Sequence, residues 1–95
     1  MVLNLKSRTH IIVSGRVQGV YFRGYTKSEA QKYNVNGWVR NLPDGQVEAV
    51  FEGEKEDLEK LLKSVNKGPS YAKVKNLNIQ WENFKDEFKD FQIHY

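Results

Sequence analysis

Cysteine is absent from this chain of 95 residues, which excludes a disulfide framework, a thiol nucleophile and thiolate metal ligands. No apolar run approaches the roughly 20 residues that a membrane-spanning helix needs. Residues 1–8 are too few and too polar for a secretory signal. Excess charge is also small, since a formal net charge of +3 suits small anionic substrates but does not by itself indicate nucleic acid. We therefore expect one small domain in the cytoplasm, without a membrane partner.

The chain does contain short apolar segments that alternate regularly with turn signals. Strands are predicted over residues 9–14, 37–42, 46–52, 74–81 and 90–95, helices over 22–33 and 54–66, and a loop over 82–89. This β-α-β-β-α-β order with a short last strand is typical of the α+β, ferredoxin-like split βαβ sandwich, in which two helices cover one face of an antiparallel sheet. We expect residues 1–8 to form a flexible lead-in and residues 9–95 to form the domain.

The segment from Gly15 to Arg23 (GRVQGVYFR) joins the first predicted strand to the first predicted helix. Gly15 and Gly19 let the backbone approach a ligand closely, and successive N–H groups at a helix start favour negative charge. Arg23 falls in the first turn of the helix, where its planar guanidinium suits phosphate oxygens. The pattern predicts an anion site, although plain turn glycines and a surface arginine would give the same local sequence.

The order of the elements also predicts where Asn41 lies. The second strand must run parallel to the first, because a right-handed helical crossover connects the two. Asn41, at the end of the second strand, then lies at the same end of the sheet as the segment from Gly15 to Arg23. One intervening strand would separate the two parallel strands by about 10 Å, a gap that an arginine and an asparagine-held water can span. Taken alone, Asn41 could instead satisfy the hairpin backbone.

Two long motifs carry the most specific information in the chain. The first runs from Gly15 to Arg23, and the second from Gly37 to Val47 (GWVRNLPDGQV), with Gly53 following. Two motifs in the right order are far more specific than one glycine pattern. In both motifs, and in element order from about residue 9 to residue 95, the chain resembles the acylphosphatase family.

The resemblance implies hydrolysis of acyl phosphates to a carboxylate and inorganic phosphate, without a metal or cofactor. It also implies a role for each matched position. Arg23 would bind the phosphate oxygens and Asn41 would orient the attacking water, so these two are the expected catalytic residues. The phosphate-binding loop would consist of the backbone N–H groups of Gly15, Arg16, Val17, Gln18, Gly19 and Val20. The expected partners are a small-molecule acyl phosphate and inorganic phosphate, and we expect the protein to be a monomer.

Two other functions fit the same topology. RNA-recognition domains share it but display aromatic side chains on their central strands. In the strand over residues 46–52, Glu48, Val50 and Glu52 are expected on a partly wet face, where the glutamates would repel a phosphate backbone. A non-catalytic module that binds an anion or a partner with the same cradle is the second alternative, because catalysis also requires accurate positioning.

Overall fold

The structure is a computed structural model, and it describes residues 5–95. The elements, in chain order, are β1 (Lys6–Arg16), α1 (Phe22–Lys32), β2 (Asn36–Asn41), β3 (Val47–Glu54), α2 (Lys55–Lys67), β4 (Lys73–Glu82) and β5 (Phe91–His94). The predicted element order is confirmed, and most predicted boundaries move by only one or two residues. Within residues 5–95, neither helix has the length and apolar character needed to cross a membrane.

All five strands form one sheet in the order β4-β1-β3-β2-β5. β3 pairs antiparallel with β1 on one side and with β2 on the other, so β1 and β2 run in the same direction. β5 pairs parallel with β2, which makes the sheet mostly rather than wholly antiparallel. The strand expected between the two parallel strands is therefore β3, and the ferredoxin-like fold is confirmed.

Both helices pack on one face of this sheet. α1 buries Phe22, Thr26 and Ala30, as its apolar spacing predicts. The buried positions of α2 follow the same helical period, and acidic residues in its first turn and a lysine in its last turn complement the helix dipole. The core between helices and sheet is formed mainly by Ile11, Val13, Val35, Val39, Val47, Ala49, Phe51, Leu58, Leu61 and Val65.

Strand β1 begins earlier than predicted. It pairs with the end of β3, from Lys6 opposite Glu54 to Arg8 opposite Glu52. The prediction of a flexible lead-in is therefore wrong for residues 6–8, while the part of it over residues 1–4 lies outside the described residues. The sequence did not predict this part of the strand, because its side chains are polar or charged and their partners lie in distant parts of the chain.

The sheet face opposite the helices is less exposed than the alternation in β3 predicts. Val50 and Glu52, expected on a partly wet face, are only 4% and 2% exposed. The loop between β4 and β5 covers Glu52, because the N–H groups of Lys85 and Glu87 donate to its carboxylate at 2.7 and 2.9 Å. Arg8 donates to the same carboxylate at 3.2 Å. The sequence pattern could not reveal these partners, since they lie more than 30 residues away.

These contacts make Glu52 sensitive to pH. Burial by itself would raise the pKa of the Glu52 carboxyl, but the N–H groups of Lys85 and Glu87 and the Arg8 guanidinium hold that pKa below its ordinary value. Glu52 therefore binds fewer protons in the folded chain than in the unfolded chain. Its contribution to stability is complete above the ordinary glutamate pKa of about 4.3 and is lost as the pH falls through the lower folded pKa.

Replacing the Glu52 carboxylate by an amide should remove the contribution of this residue to the pH dependence of the free energy of unfolding. At neutral pH we expect Glu52→Gln to be less stable by about 2 kcal/mol, because Arg8 loses its charge-assisted bond to a buried carboxylate and keeps only Glu82 and Glu87 as partners. The difference from the parent chain should shrink as the pH falls below about 4, and urea unfolding across this range measures it. Glu59→Gln, at an exposed position of α2, is the control. A difference that stays constant with pH would contradict the assignment.

Candidate active site

The end of β1 and the link from it to α1 contain three residues of positive φ. Gly15 has φ of 121°, Gly19 of 73° and Tyr21 of 65°. The first two values are natural for glycine, whereas the left-handed conformation is strained for a tyrosine. Tyr21 is the residue that precedes α1, and its side chain is 72% exposed. The chain thus enters the helix through a tight loop held in a conformation that most side chains avoid.

The backbone N–H groups of this link are free. From Gln18 to Gly24, none donates to an acceptor within residues 5–95, and the first helical bond joins the Tyr25 N–H to the Tyr21 carbonyl at 3.0 Å. No side chain caps the start of α1, and no acidic residue occupies its first turn. Free N–H groups at a helix start carry partial positive charge. The loop and helix start therefore present donors suited to an anion.

Arg23 lies in the first turn of α1, as predicted. It forms no ion pair with a carboxylate anywhere in the described residues 5–95. Its guanidinium carbon lies 4.7 Å from the ring centre of Tyr95, and an exposed contact of this kind contributes about 0.5–1 kcal/mol. The N–H donors of Arg23 stay available to a ligand, since none of them pairs with a carboxylate within residues 5–95.

Asn41 is the last residue of β2 and pairs with Val47 of β3. It lies two residues after the core residue Val39, so both side chains are on the helix-covered face of the sheet. The side-chain oxygen Oδ1 of Asn41 is buried and accepts no hydrogen bond from residues 5–95. A buried amide oxygen without a partner is costly, which makes this atom a candidate acceptor for a water or a ligand.

These features meet in one cleft of about 200 Å³. Gly19 and Arg23, from the segment after β1, and Asn41, from the end of β2, all line it, and the strand order predicted that these two parts of the chain lie at the same end of the sheet. The cleft is lined by Val17, Gly19, Tyr21, Phe22, Arg23, Gly24, Asn41, Ile93 and Tyr95. Arg23 is the charged side chain in this lining.

The structure places the first two residues of the predicted phosphate-binding loop in a strand. Gly15 and Arg16 are the last residues of β1 and pair with β4 across a bulge. Val17 and Val20 are 1% and 9% exposed and belong to the hydrophobic core. These two valines anchor the loop in the core.

The side chain of Gln18 makes contacts that the sequence did not predict. Only the backbone N–H of Gln18 was expected to have a role, whereas its amide nitrogen Nε2 donates to the carbonyl oxygens of Leu42 and Gln46, both at 2.8 Å. These carbonyls belong to the hairpin that follows Asn41. No local pattern signals a contact between residues 24 and 28 positions apart.

Ile93 and Tyr95, at the end of the chain, were also not expected at the cleft. The strand that carries them was predicted, but its neighbour in the sheet was not. β5 pairs with β2 from Gly37 opposite Phe91 to Arg40 opposite His94. This parallel register brings Tyr95 to the level of the cleft. Only the parallel pairing of β5 with β2 places Tyr95 there, and the alternation within the last strand does not indicate that pairing.

Alanine at Gly15 and alanine at Gly19 should have unequal effects on the free energy of unfolding. A Cβ at Gly15 would lie 2.1 Å from the carbonyl oxygen of Lys73, whereas one at Gly19 meets no atom within 4 Å. We expect Gly15→Ala to cost at least about 3 kcal/mol because backbone must move, and Gly19→Ala about 1–2 kcal/mol of left-handed strain alone. Urea unfolding measures both. Equal losses would show that β4 does not confine Gly15.

Comparison with known proteins agrees with this geometry. A model of the Acylphosphatase family matches residues 9–93. An acylphosphatase from Pelotomaculum thermopropionicum is 46% identical over 90 residues, covering 95% of this chain and 98% of that protein. One from Syntrophus aciditrophicus is 47% identical over 91 residues, covering 96% and 95%.

A solved structure gives the same result. The crystal structure of acylphosphatase from Bacillus subtilis matches with a TM-score of 0.91 at 36% identity, covering 94% of this chain and 99% of that one. The similarity thus extends over nearly the whole of both chains in sequence and in fold. On this evidence the chain belongs to the acylphosphatase family, enzymes that hydrolyse acyl phosphates.

Proposed function

We propose that this chain hydrolyses acyl phosphates by holding the phosphoryl group in a backbone cradle while a fixed side chain aims water at it. The cradle consists of backbone N–H groups of the loop from Gly15 to Val20. Arg23 completes it, since a guanidinium offers two parallel donors to phosphate oxygens. The free N–H groups that begin at Gln18 and the absence of a carboxylate partner for Arg23 within residues 5–95 support this assignment.

Asn41 orients the attacking water. Its buried Oδ1 accepts one hydrogen of the water, which turns the oxygen lone pair toward phosphorus. An amide does not take up a proton at neutral pH, so Asn41 acts as an orienting group rather than as a base. The proton passes to the phosphate itself. The unpartnered Oδ1 atom supports this role.

The chemistry needs little more than these groups. A bond forms between the water oxygen and phosphorus, and the bond from phosphorus to the acyl oxygen breaks. The electron pair leaves with a carboxylate, whose conjugate acid has a pKa of about 4, so no strong general acid is required. Stabilising the charge on the phosphoryl oxygens and aligning the water are the main tasks. The products are a carboxylate and inorganic phosphate, and the proposal includes no metal or cofactor.

One observation carries the proposal. Gly19, Arg23 and Asn41 line a single cleft of about 200 Å³, although β1 and β2 are separated by β3. A cradle, a cation and a buried acceptor at one point are what phosphoryl transfer to water requires. None of the three would support this reaction by itself.

Replacing Arg23 by lysine tests the cradle. We expect Arg23→Lys to lower kcat/KM for benzoyl phosphate by about 10²–10³, because a point charge does not reproduce the guanidinium fork. The assay is run without added metal. Arg40→Lys is the matched control, since Arg40 pairs with Glu48 at 2.6 Å on the sheet face away from the cleft. Near-normal turnover of Arg23→Lys would argue against bidentate binding.

Replacing Asn41 by alanine tests the water. We expect Asn41→Ala to lower kcat by about 10² while inhibition by inorganic phosphate changes little, because the lost group orients water and does not hold phosphate. Asn78→Ala, at an exposed position of β4, serves as the control. Lost phosphate affinity with unchanged kcat would reverse the roles of Asn41 and the cradle.

The same assay separates the alternative functions. Phosphate binding without turnover would indicate a non-catalytic anion- or partner-binding module, and salt-sensitive RNA binding would indicate an RNA-binding domain. The burial of Val50 and Glu52 disfavours RNA, because the loop between β4 and β5 occupies part of the face on which bases would stack.

We also propose that the protein acts in the cytoplasm as a monomer, with no nucleic-acid or membrane partner. The absence of cysteine fits a reducing compartment. A cleft lined by residues of one chain needs no second copy to complete it. Light scattering after size-exclusion chromatography should give a mass near 11.1 kDa. A mass twice as large would contradict the proposal that the protein is a monomer.

A further inference from the structure

The Gln18 side chain makes an unusual pair of contacts. Its Nε2 group donates one hydrogen to the Leu42 carbonyl and the other to the Gln46 carbonyl, both at 2.8 Å. Those two residues close the β2–β3 hairpin, since the Leu42 N–H donates to the Gln46 carbonyl at 2.8 Å. Gln18 is only partly buried, but both donors of its amide are used.

This amide joins two parts of the cleft that are otherwise unconnected. The loop after β1 and the end of β2 are not neighbours, because β3 lies between the two strands. Within residues 5–95, the two bonds from Gln18 are the hydrogen bonds that link residues 17–24 to residues 41–46. Leu42 directly follows Asn41, so one of these bonds ends a single residue from the buried amide.

We propose that the Gln18 side chain is a positioning residue that fixes the phosphate cradle relative to Asn41. This inference rests on the proposed function, in which the cradle holds phosphorus and Asn41 holds water. The loop needs a hydrogen bond to another part of the fold to hold its position, because its own N–H groups from Gln18 to Gly24 have no partners within residues 5–95. The hairpin supplies it through two carbonyls that directly follow the last β2–β3 pair and whose residues are joined by the bond from the Leu42 N–H to the Gln46 carbonyl.

A loss of these two bonds should affect catalysis more than binding. The cradle can still bind phosphate if it moves slightly, since the N–H groups move with it. The distance from water to phosphorus would change, and a displacement of about 1 Å can cost about 10²-fold in rate. We therefore expect Gln18→Met, which keeps the length but has no donor, to lower kcat by about 10–100-fold with little change in inhibition by inorganic phosphate.

A glutamate at the same position gives a test that pH controls. Gln18→Glu keeps the shape, but its carboxylate would face two carbonyl oxygens without a hydrogen to donate. As the pH falls toward about 4.3, the protonated acid regains one O–H donor. The kcat of Gln18→Glu relative to the parent chain should therefore rise with acidity, while that of Gln18→Met stays flat. Gln31→Met, at an exposed position of α1, should match the parent chain throughout.

A double-mutant cycle separates this inference from the proposed function. If Gln18 acts through Asn41, Gln18→Met should change kcat less than about twofold when Asn41 is already alanine. Full, additive loss in that background would overturn the positioning role, as would parent-like kcat in both Gln18 variants. A rise in the phosphate inhibition constant matching the fall in kcat would mean that Gln18 contacts the phosphate directly, which also overturns it. Unchanged kcat in Asn41→Ala alone would instead refute the water-orienting role that the proposed function gives to Asn41.

Discussion

The antiparallel pairing of β3 with both β1 and β2 is the constraint on which the cleft depends. It makes β1 and β2 parallel, so that the loop after β1 and the last residue of β2 reach the same end of the sheet. β3 also sets the spacing between them, since two strand-to-strand steps amount to about 10 Å. The backbone ladder thus brings Arg23 and Asn41 to one cleft, although β1 and β2 do not pair with each other.

Much of this arrangement follows from local sequence patterns. The helical period of Leu58, Leu61, Leu62 and Val65 predicts α2, and the Pro43-Asp44-Gly45 turn predicts the hairpin. Right-handed crossover then determines the relative directions of β1 and β2. The position of Asn41 needed only these steps, because it depends on backbone topology and not on side-chain contacts.

The features that the sequence did not predict share one physical cause. The covering of Glu52, the early start of β1 and the bridge from Gln18 all depend on polar contacts between residues far apart in the chain. The spacing of polar side chains along the chain does not indicate which residues they contact. The spacing of apolar side chains does indicate which face of an element packs on the core. Alternation therefore predicted a partly wet face for β3, whereas the loop between β4 and β5 covers part of it.

The unpartnered amides between Gln18 and Gly24 have a thermodynamic consequence for the whole domain. Such groups exchange their hydrogens with solvent without any opening of the fold, so this region lies at the low end of local stability. An anion that bonds to them binds only the folded chain, and it adds RT ln(1 + [L]/Kd) to the free energy of unfolding. That term is about 2.7 kcal/mol when the anion is present at a hundred times its Kd. In the mechanism that we propose, the substrate and the released phosphate bind these amides and so raise the free energy of unfolding of the enzyme.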